Sequence, residues 1–208
     1  MICAVVLAAG QSRRMGCQKL LLPWEAQTVI GRVVSEVLRS VVSDVFVVVG
    51  SDQSGVAEAL AGCPVTLVTN PVPDCDMLGS VRCGLRALPE GCEGVLVVLG
   101  DQPMLQSDLI DDLVRAFQAF GRAIVVPSHE GRRGHPLLLS AQFLDEVLTQ
   151  YDGIGLCGLL QAHPDDVLEL GIATSEVLAD VDVPEDYQRE LAKLTGQVQP
   201  RCDSDSSP

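Results

Sequence analysis

Short apolar runs alternate with amphipathic stretches along the first 126 residues of this chain, and that alternation limits the possible folds more than any other feature. Ile2 to Leu7, Val45 to Val49, Val65 to Val68, Val95 to Leu99 and Ala123 to Val126 are nearly continuous and rich in valine. A strand with one wet face would alternate apolar and polar residues, so these runs predict parallel strands covered on both faces. Between them, Val29 to Arg39, Gly55 to Leu60, Leu78 to Leu88 and Leu109 to Phe120 carry apolar residues at helical spacing. The βαβα order predicts an α/β fold built on a doubly wound, mostly parallel open sheet. The composition agrees, because 47% hydrophobic and only 3% aromatic residues suit an aliphatic α/β core better than a β-sandwich.

After Pro127 the pattern shortens. Pro136 to Leu139, a helix near Gln142 to Leu148, a glycine-rich turn at Gly153 to Gly158 and a strand near Val167 to Leu170 predict a small appended β/α lid. Glu176 to Val181 follows as the last extended element. A helix is expected from Pro184, where proline in the first turn and Glu185-Asp186 behind it are good starting signals. Residues 1–196 are expected to form one domain, and the polar, serine-rich 197–208 a disordered tail.

The loop that leaves the first apolar run, Leu7 to Lys19, reads LAAGQSRRMGCQK. Ala8, Ala9 and Gly10 carry little or no side chain, so a ligand can approach their backbone closely. Gly10 can take a positive φ, and successive N–H groups can point at one anion. Arg13, Arg14 and Lys19 add charge that backbone dipoles cannot supply. By itself such a loop is also what an ordinary βα turn with solvated cations looks like. The overall balance favours the binding reading: the formal net charge is −14, so cations are scarce and three fall within this one loop. The same charge argues against general nucleic-acid or anionic-membrane binding. No apolar run reaches the ~18 residues of a membrane span and no basic leader precedes the first strand, so a cytoplasmic location is expected.

Eight cysteines include no CxxC pair and none has a histidine at ligand spacing, which predicts reduced, mostly spectator thiols. Cys17 is the exception to watch, inside the cationic loop. A second constellation is Leu99-Gly100-Asp101-Gln102-Pro103, an aspartate at the carboxyl end of a buried strand. Facing a phosphate cradle, that carboxylate is suited to Mg²⁺, which takes one or two carboxylates plus phosphate oxygens and waters. Asp180-Val181-Asp182 is a further acidic strand end, and period-two spacing puts its two aspartates on one side. Asp182 reads almost equally well as a cap for the helix that follows.

Taken in order, LAAGQSRRMGCQKLLLPW, NPVPDCDMLGSVRCGL, LGDQP, GRRGHPLLL and DVDVPEDY resemble the molybdenum cofactor nucleotidyltransferases, most closely their cytidylyltransferase branch. The resemblance runs from Leu7 to Tyr187. It implies a Rossmann-like nucleotidyltransferase fold and transfer of CMP from CTP to the terminal phosphate of molybdenum-bound molybdopterin, with release of pyrophosphate. By the same resemblance Leu7, Ala8, Ala9, Gly10, Arg14, Lys19, Asn70 and Ser80 would bind the nucleotide. Arg14, Lys19 and Asp101 would act in catalysis, and Asp101 with Asp182 would hold Mg²⁺, with Mn²⁺ as the substitute. Arg132, Arg133 and His135 would face the pterin substrate. Ala9 stands where guanylyltransferase relatives usually have glycine, which favours CTP over GTP.

Two positions depart from the family pattern. Asp76 precedes Met77 where glycine is usual, placing a negative charge near an expected anion site, and Cys157 stands where relatives often have arginine. A guanylyltransferase, another small-phosphate cytidylyltransferase, or a non-catalytic carrier that delivers cofactor to a molybdenum hydroxylase or works with its maturation chaperone are the competing readings. Lys19, Asp101 and Asp182 together favour an enzyme, since a carrier has no need of them all.

Overall fold

The computed structural model describes residues 1–12, 15–51, 54–73, 75–121 and 123–194. Its centre is β1 (Ile2–Ala8), in which Cys3 to Val6 have no solvent exposure, the burial that an uninterrupted apolar run demands. On one side β1 pairs in parallel with β4 (Asp44–Gly50), and β4 with β5 (Thr66–Asn70). On the other side it pairs in parallel with β6 (Gly94–Leu99). Strand order therefore reverses at β1, and the loops after β1 and β6 leave the same edge of the sheet side by side, with Leu7 opposite Leu99. Such switch points are where open α/β sheets bind ligands.

Helix α1 (Val29–Arg39) begins after Thr28, whose side chain accepts a hydrogen bond from the Gly31 N–H, and it lays Val29, Ile30, Val33, Val34 and Val37 into the core. Helices α2 (Ser54–Ala59), α3 (Met77–Leu85) and α4 (Ser107–Phe120) follow β4, β5 and β6 in turn. Two apolar layers result, one on each face of the sheet. A two-residue hairpin, β2 (Pro23–Trp24) with β3 (Gln27–Thr28), had no counterpart among the expected elements. It buries Trp24, whose ring meets Tyr187 of the final helix α7 (Pro184–Leu194) at 6.2 Å between centroids.

The region after Pro127 is woven into the same sheet. β7 (Ile124–His129) turns through β8 (Arg132–Arg133) into β9 (Leu137–Ser140), and β9 lies antiparallel between β6 and β7. β10 (Val167–Gly171) closes the far edge beside β7. The appended part is thus confined to α5 (Leu144–Thr149), α6 (Leu156–Ala162) and short 3₁₀ turns. The segment expected as a glycine-rich turn becomes a turn at Gly153 and Gly155, both at positive φ, and then α6 itself. Gly158 sits inside that helix because a Cβ there would stand 2.3 Å from the Tyr151 ring. Glu176 to Val181 is likewise no strand: Ser175–Leu178 forms a 3₁₀ turn. The tail from 197 lies outside the described residues. Among the described residues no helix is long and apolar enough to cross a membrane.

Candidate active site

A cleft of about 290 Å³ opens where the β1 and β6 loops emerge, lined among others by Leu7, Ala9, Gly10, Lys19, Ser80 and Asp101, with Asp180 and Asp182 opposite. Its floor depends on one close approach. The Gly100 N–H donates to the Leu7 carbonyl at 3.0 Å, and a Cβ on residue 100 would lie 2.7 Å from that oxygen, so only glycine lets β6 hand Asp101 to the end of β1.

The loop after β1 turns back through Ser12 at φ 50° and Gly16 at φ 67°. Gly10, which is free to take a positive φ, does not use that freedom here. The Ser12 hydroxyl accepts a hydrogen bond from the Lys19 backbone N–H at 3.1 Å, and Leu20 beside it is buried in the core. Those two anchors aim the Lys19 side chain into the cleft. Ser12 went unnoticed in the sequence, where a serine between glutamine and arginine carries no distinctive signal.

Lys19 Nζ lies 2.5 Å from Asp101 Oδ2 and 2.8 Å from Asp182 Oδ1, and its side chain is only 11% exposed. Burial by itself would push the ammonium down in pKa, but the two carboxylates outweigh burial and hold it above its ordinary value. Asp180 sits in the same cleft with its pKa raised, first by burial and then by the charges of Asp182 and Asp101. The backbone explains how a segment that is not a strand still delivers both aspartates: the Val181 N–H donates to the Asp101 carbonyl at 3.0 Å and Val181 is fully buried, so its neighbours on either side are left for the cleft.

Asp76 is accounted for locally. It caps α3, its carboxylate accepting from the Gly79 N–H at 2.8 Å, so the negative charge is spent on a helix N-terminus. Ser80 lines the cleft one turn further on, while Asn70 is buried behind it and donates to the Ser80 hydroxyl at 3.4 Å. The Ala8 side chain points into the core away from the cleft. Arg14 lies outside the described residues. Cys17 is exposed, and the seven described cysteines are all unbridged.

The second-substrate candidates separate. His135 is close enough to Asp101 to feel its charge, yet burial dominates and lowers its pKa, with Asp101 and the Val97 carbonyl opposing. Its Nδ1 is sealed from solvent without a hydrogen-bond partner. Gly134 makes this placement possible, since a Cβ there would stand 2.2 Å from the Val177 carbonyl oxygen, to which the His135 N–H donates at 3.0 Å. Arg132 and Arg133 are exposed on β8 and do not line the cleft. Arg133 pairs with Glu169 of β10 at 2.8 Å. Cys157 is exposed at the start of α6, also away from the cleft.

Among the described residues, no group of three or more His, Cys, Asp and Glu side chains surrounds a common point as a preformed metal centre would. The donors nevertheless fit a hard divalent cation. Asp101 and Asp182 aim one carboxylate oxygen each at a single positive charge, which is the small carboxylate set such an ion uses when phosphates and waters complete its shell.

Similarity to known proteins agrees with this geometry. The molybdenum cofactor cytidylyltransferase of Escherichia coli K12 is 27% identical over 184 residues, covering 88% of this chain and 92% of its own. The crystal structure of Rv0371c from Mycobacterium tuberculosis in complex with manganese superposes with a TM-score of 0.78 at 28% identity, over 91% of this chain and 97% of that one. A nucleotidyl transferase from Methanothermobacter superposes with a TM-score of 0.82 at 28% identity, over 95% and 99% of the two chains. The family model for the MobA-like NTP transferase domain matches residues 4–167, a span that holds Lys19, Asp101 and His135 and ends before Asp180 and Asp182, and the chain belongs to that family.

Proposed function

We propose that this chain transfers CMP from CTP to the terminal phosphate of molybdenum-bound molybdopterin. An oxygen of that phosphate attacks the α-phosphorus of CTP, the bond from the α-phosphorus to the bridging oxygen breaks, and pyrophosphate leaves. The observation that carries the reading is the convergence of Lys19, Asp101 and Asp182 at the switch point, one cation and two carboxylates in a cleft with an open mouth. No protein nucleophile is called for, because the incoming group is already an anionic phosphate; the protein's work is alignment and charge compensation.

In this reading the backbone from Leu7 to Gly10 and the Ser80 hydroxyl, backed by Asn70, hold the nucleotide, and Arg14 joins Lys19 in compensating its phosphates. Asp101 and Asp182 would hold Mg²⁺ or Mn²⁺, which when bound supplies Lewis-acid polarisation of the phosphate oxygens. His135, buried near Asp101 with its Nδ1 sealed from solvent, would shape the second-substrate side of the site from behind its surface. Arg132 and Arg133, outside the cleft, would act at longer range on an anionic pterin phosphate. The similarity to the Escherichia coli cytidylyltransferase supports molybdopterin as that substrate, and Ala9 in the cleft lining supports CTP.

The test is pyrophosphate release with CTP, GTP and ATP, each with and without molybdopterin. Release that needs both CTP and molybdopterin is expected. A preference for GTP would move the chain to the guanylyltransferase branch, and no release with any nucleotide would leave a carrier.

A further inference from the structure

Resting on the metal and nucleotide assignments above, we propose that the Lys19 ammonium holds the metal position shut in the free protein, and that a divalent cation settles between Asp101 and Asp182 as nucleotide phosphates draw Lys19 aside. The geometry makes the two occupants exclusive. Lys19 Nζ stands within 2.8 Å of an oxygen of each carboxylate, and both oxygens are the donors a metal would use. A hard dication would need those same oxygens at about 2.0–2.1 Å, which would bring a double positive charge against the ammonium.

The surroundings explain why the ammonium occupies that place. Asp180 adds a third carboxylate to the cleft, so positive charge is favoured there, and the Lys19 ammonium sits against the other two. Its backbone is fixed at Ser12 and its neighbour Leu20 is buried, whereas its long side chain has rotatable bonds to spare. The head group can therefore swing while the loop stays put. Phosphates arriving over Ala9 and Gly10 would provide the replacement anion, and the vacated oxygens would pass to the metal. Nucleotide and metal would then each strengthen the binding of the other by the same factor. Lys19 would thus serve twice, first as a stopper and then as the phosphate clamp.

The experiment is a titration with Mn²⁺ alone, following free Mn²⁺ by electron paramagnetic resonance, with no nucleotide present. Lys19→Met keeps the length of the side chain and removes the charge, and should bind Mn²⁺ at least ~10-fold more tightly than the unmodified protein, within the usual range of site coupling. Lys19→Arg keeps the charge and should bind as weakly as the unmodified protein. Lys19→Met combined with Asp101→Asn should lose the gain, which locates the ion. The idea is overturned if Lys19→Met binds Mn²⁺ no better than the unmodified protein. If, in that case, Asp101→Asn still abolishes metal-dependent pyrophosphate release from CTP, the metal assignment survives and only the exchange falls. If Asp101→Asn is fully active, both fall together.

Discussion

The molecule contains two partly buried clusters of opposite charge balance. In the cleft, Lys19 pairs with Asp101 and Asp182, and Asp180 lies beside them as a third carboxylate. On the α1 side of the sheet the proportions are reversed: the fully buried Glu36 pairs with both Arg32 and Arg39 and also accepts the Ser107 N–H at 3.0 Å, closing the first turn of α4. Burial would raise the Glu36 pKa, but its bonds to Arg39, Ser107 and Arg32 hold it below the usual carboxylate range. Every oxygen of the second cluster is occupied by partners from the chain itself, so nothing is left for a ligand to supply. The first gathers Asp101, Asp180 and Asp182 around Lys19 and faces an opening, where a ligand can reach it. Charge imbalance in an open cleft points to chemistry, and charge closure under a helix points to structure.

That contrast can be broken by experiment. The largest expected effect is on the cleft: Asp101→Ala should lower kcat/KM for CTP-dependent pyrophosphate release by about 10³-fold or more, while thermal melting stays within a few degrees. A large loss of melting temperature would show that this cluster too is structural. Glu36→Ala should do the reverse. Losing the inter-helix cap and two ion pairs should cost about 2 kcal/mol, read as a melting temperature roughly 4–8 °C lower, with kcat of the folded protein unchanged. Gly134→Ala would sharpen the comparison within the site, because the backbone carrying His135 must move while the Lys19 cluster stays. A rise of about 10-fold in KM for the pterin substrate, with KM for CTP unchanged, is expected.

The smallest effect concerns pH. Burial keeps the His135 pKa below its ordinary value, so the unfolded chain takes up the proton first as the solution is acidified. The stability contributed by neutral His135 is therefore present above about pH 6.5 and declines as pH falls through that value. Glu36 runs in the same direction but lower, since its depressed carboxylate loses its contribution only as pH falls through its own folded-state pKa. Melting curves of the unmodified protein and His135→Gln between pH 5 and 8 check this; a variant with the same slope near pH 6.5 would remove His135 from the account.

Much of this arrangement could be read from the chain because it is local. The runs that became β1, β4 and β6, and the stripe that became α1 between Val29 and Arg39, carry their period within a few residues. The sequence could nominate Lys19, Asp101 and Asp182 one at a time; their contact spans 82 and 163 residues and needed the sheet to bring them together. Other features competed with their own local signals. Leu137 to Leu139 is strand-like anywhere, and nothing in three leucines says that β6 and β7 will flank it. Gly158 reads as a turn because its reason, the Tyr151 ring, lies seven residues away in the connection between α5 and α6. Glu36 did leave a trace, as a carboxylate on the apolar stripe three residues after Val33, and a charge on that face is a signal of a buried partner. Asp76 departs from the family pattern as a charge, yet it stands just before a helix, where aspartate is a preferred cap.

The placement of β9 also bears on the order in which the molecule can be assembled. β1, β4, β5 and β6 pair in parallel among themselves and can form as the chain is made, whereas β9 must enter between β6 and β7, both of which precede it in the chain. A chain interrupted before residue 137 therefore has a gap in its sheet rather than a smaller finished sheet, with the β6 edge open to pairing with another molecule. His135 and the Asp180–Asp182 segment arrive only with or after that insertion. Synthesis must pass the middle of the sheet twice before the cleft has all its walls.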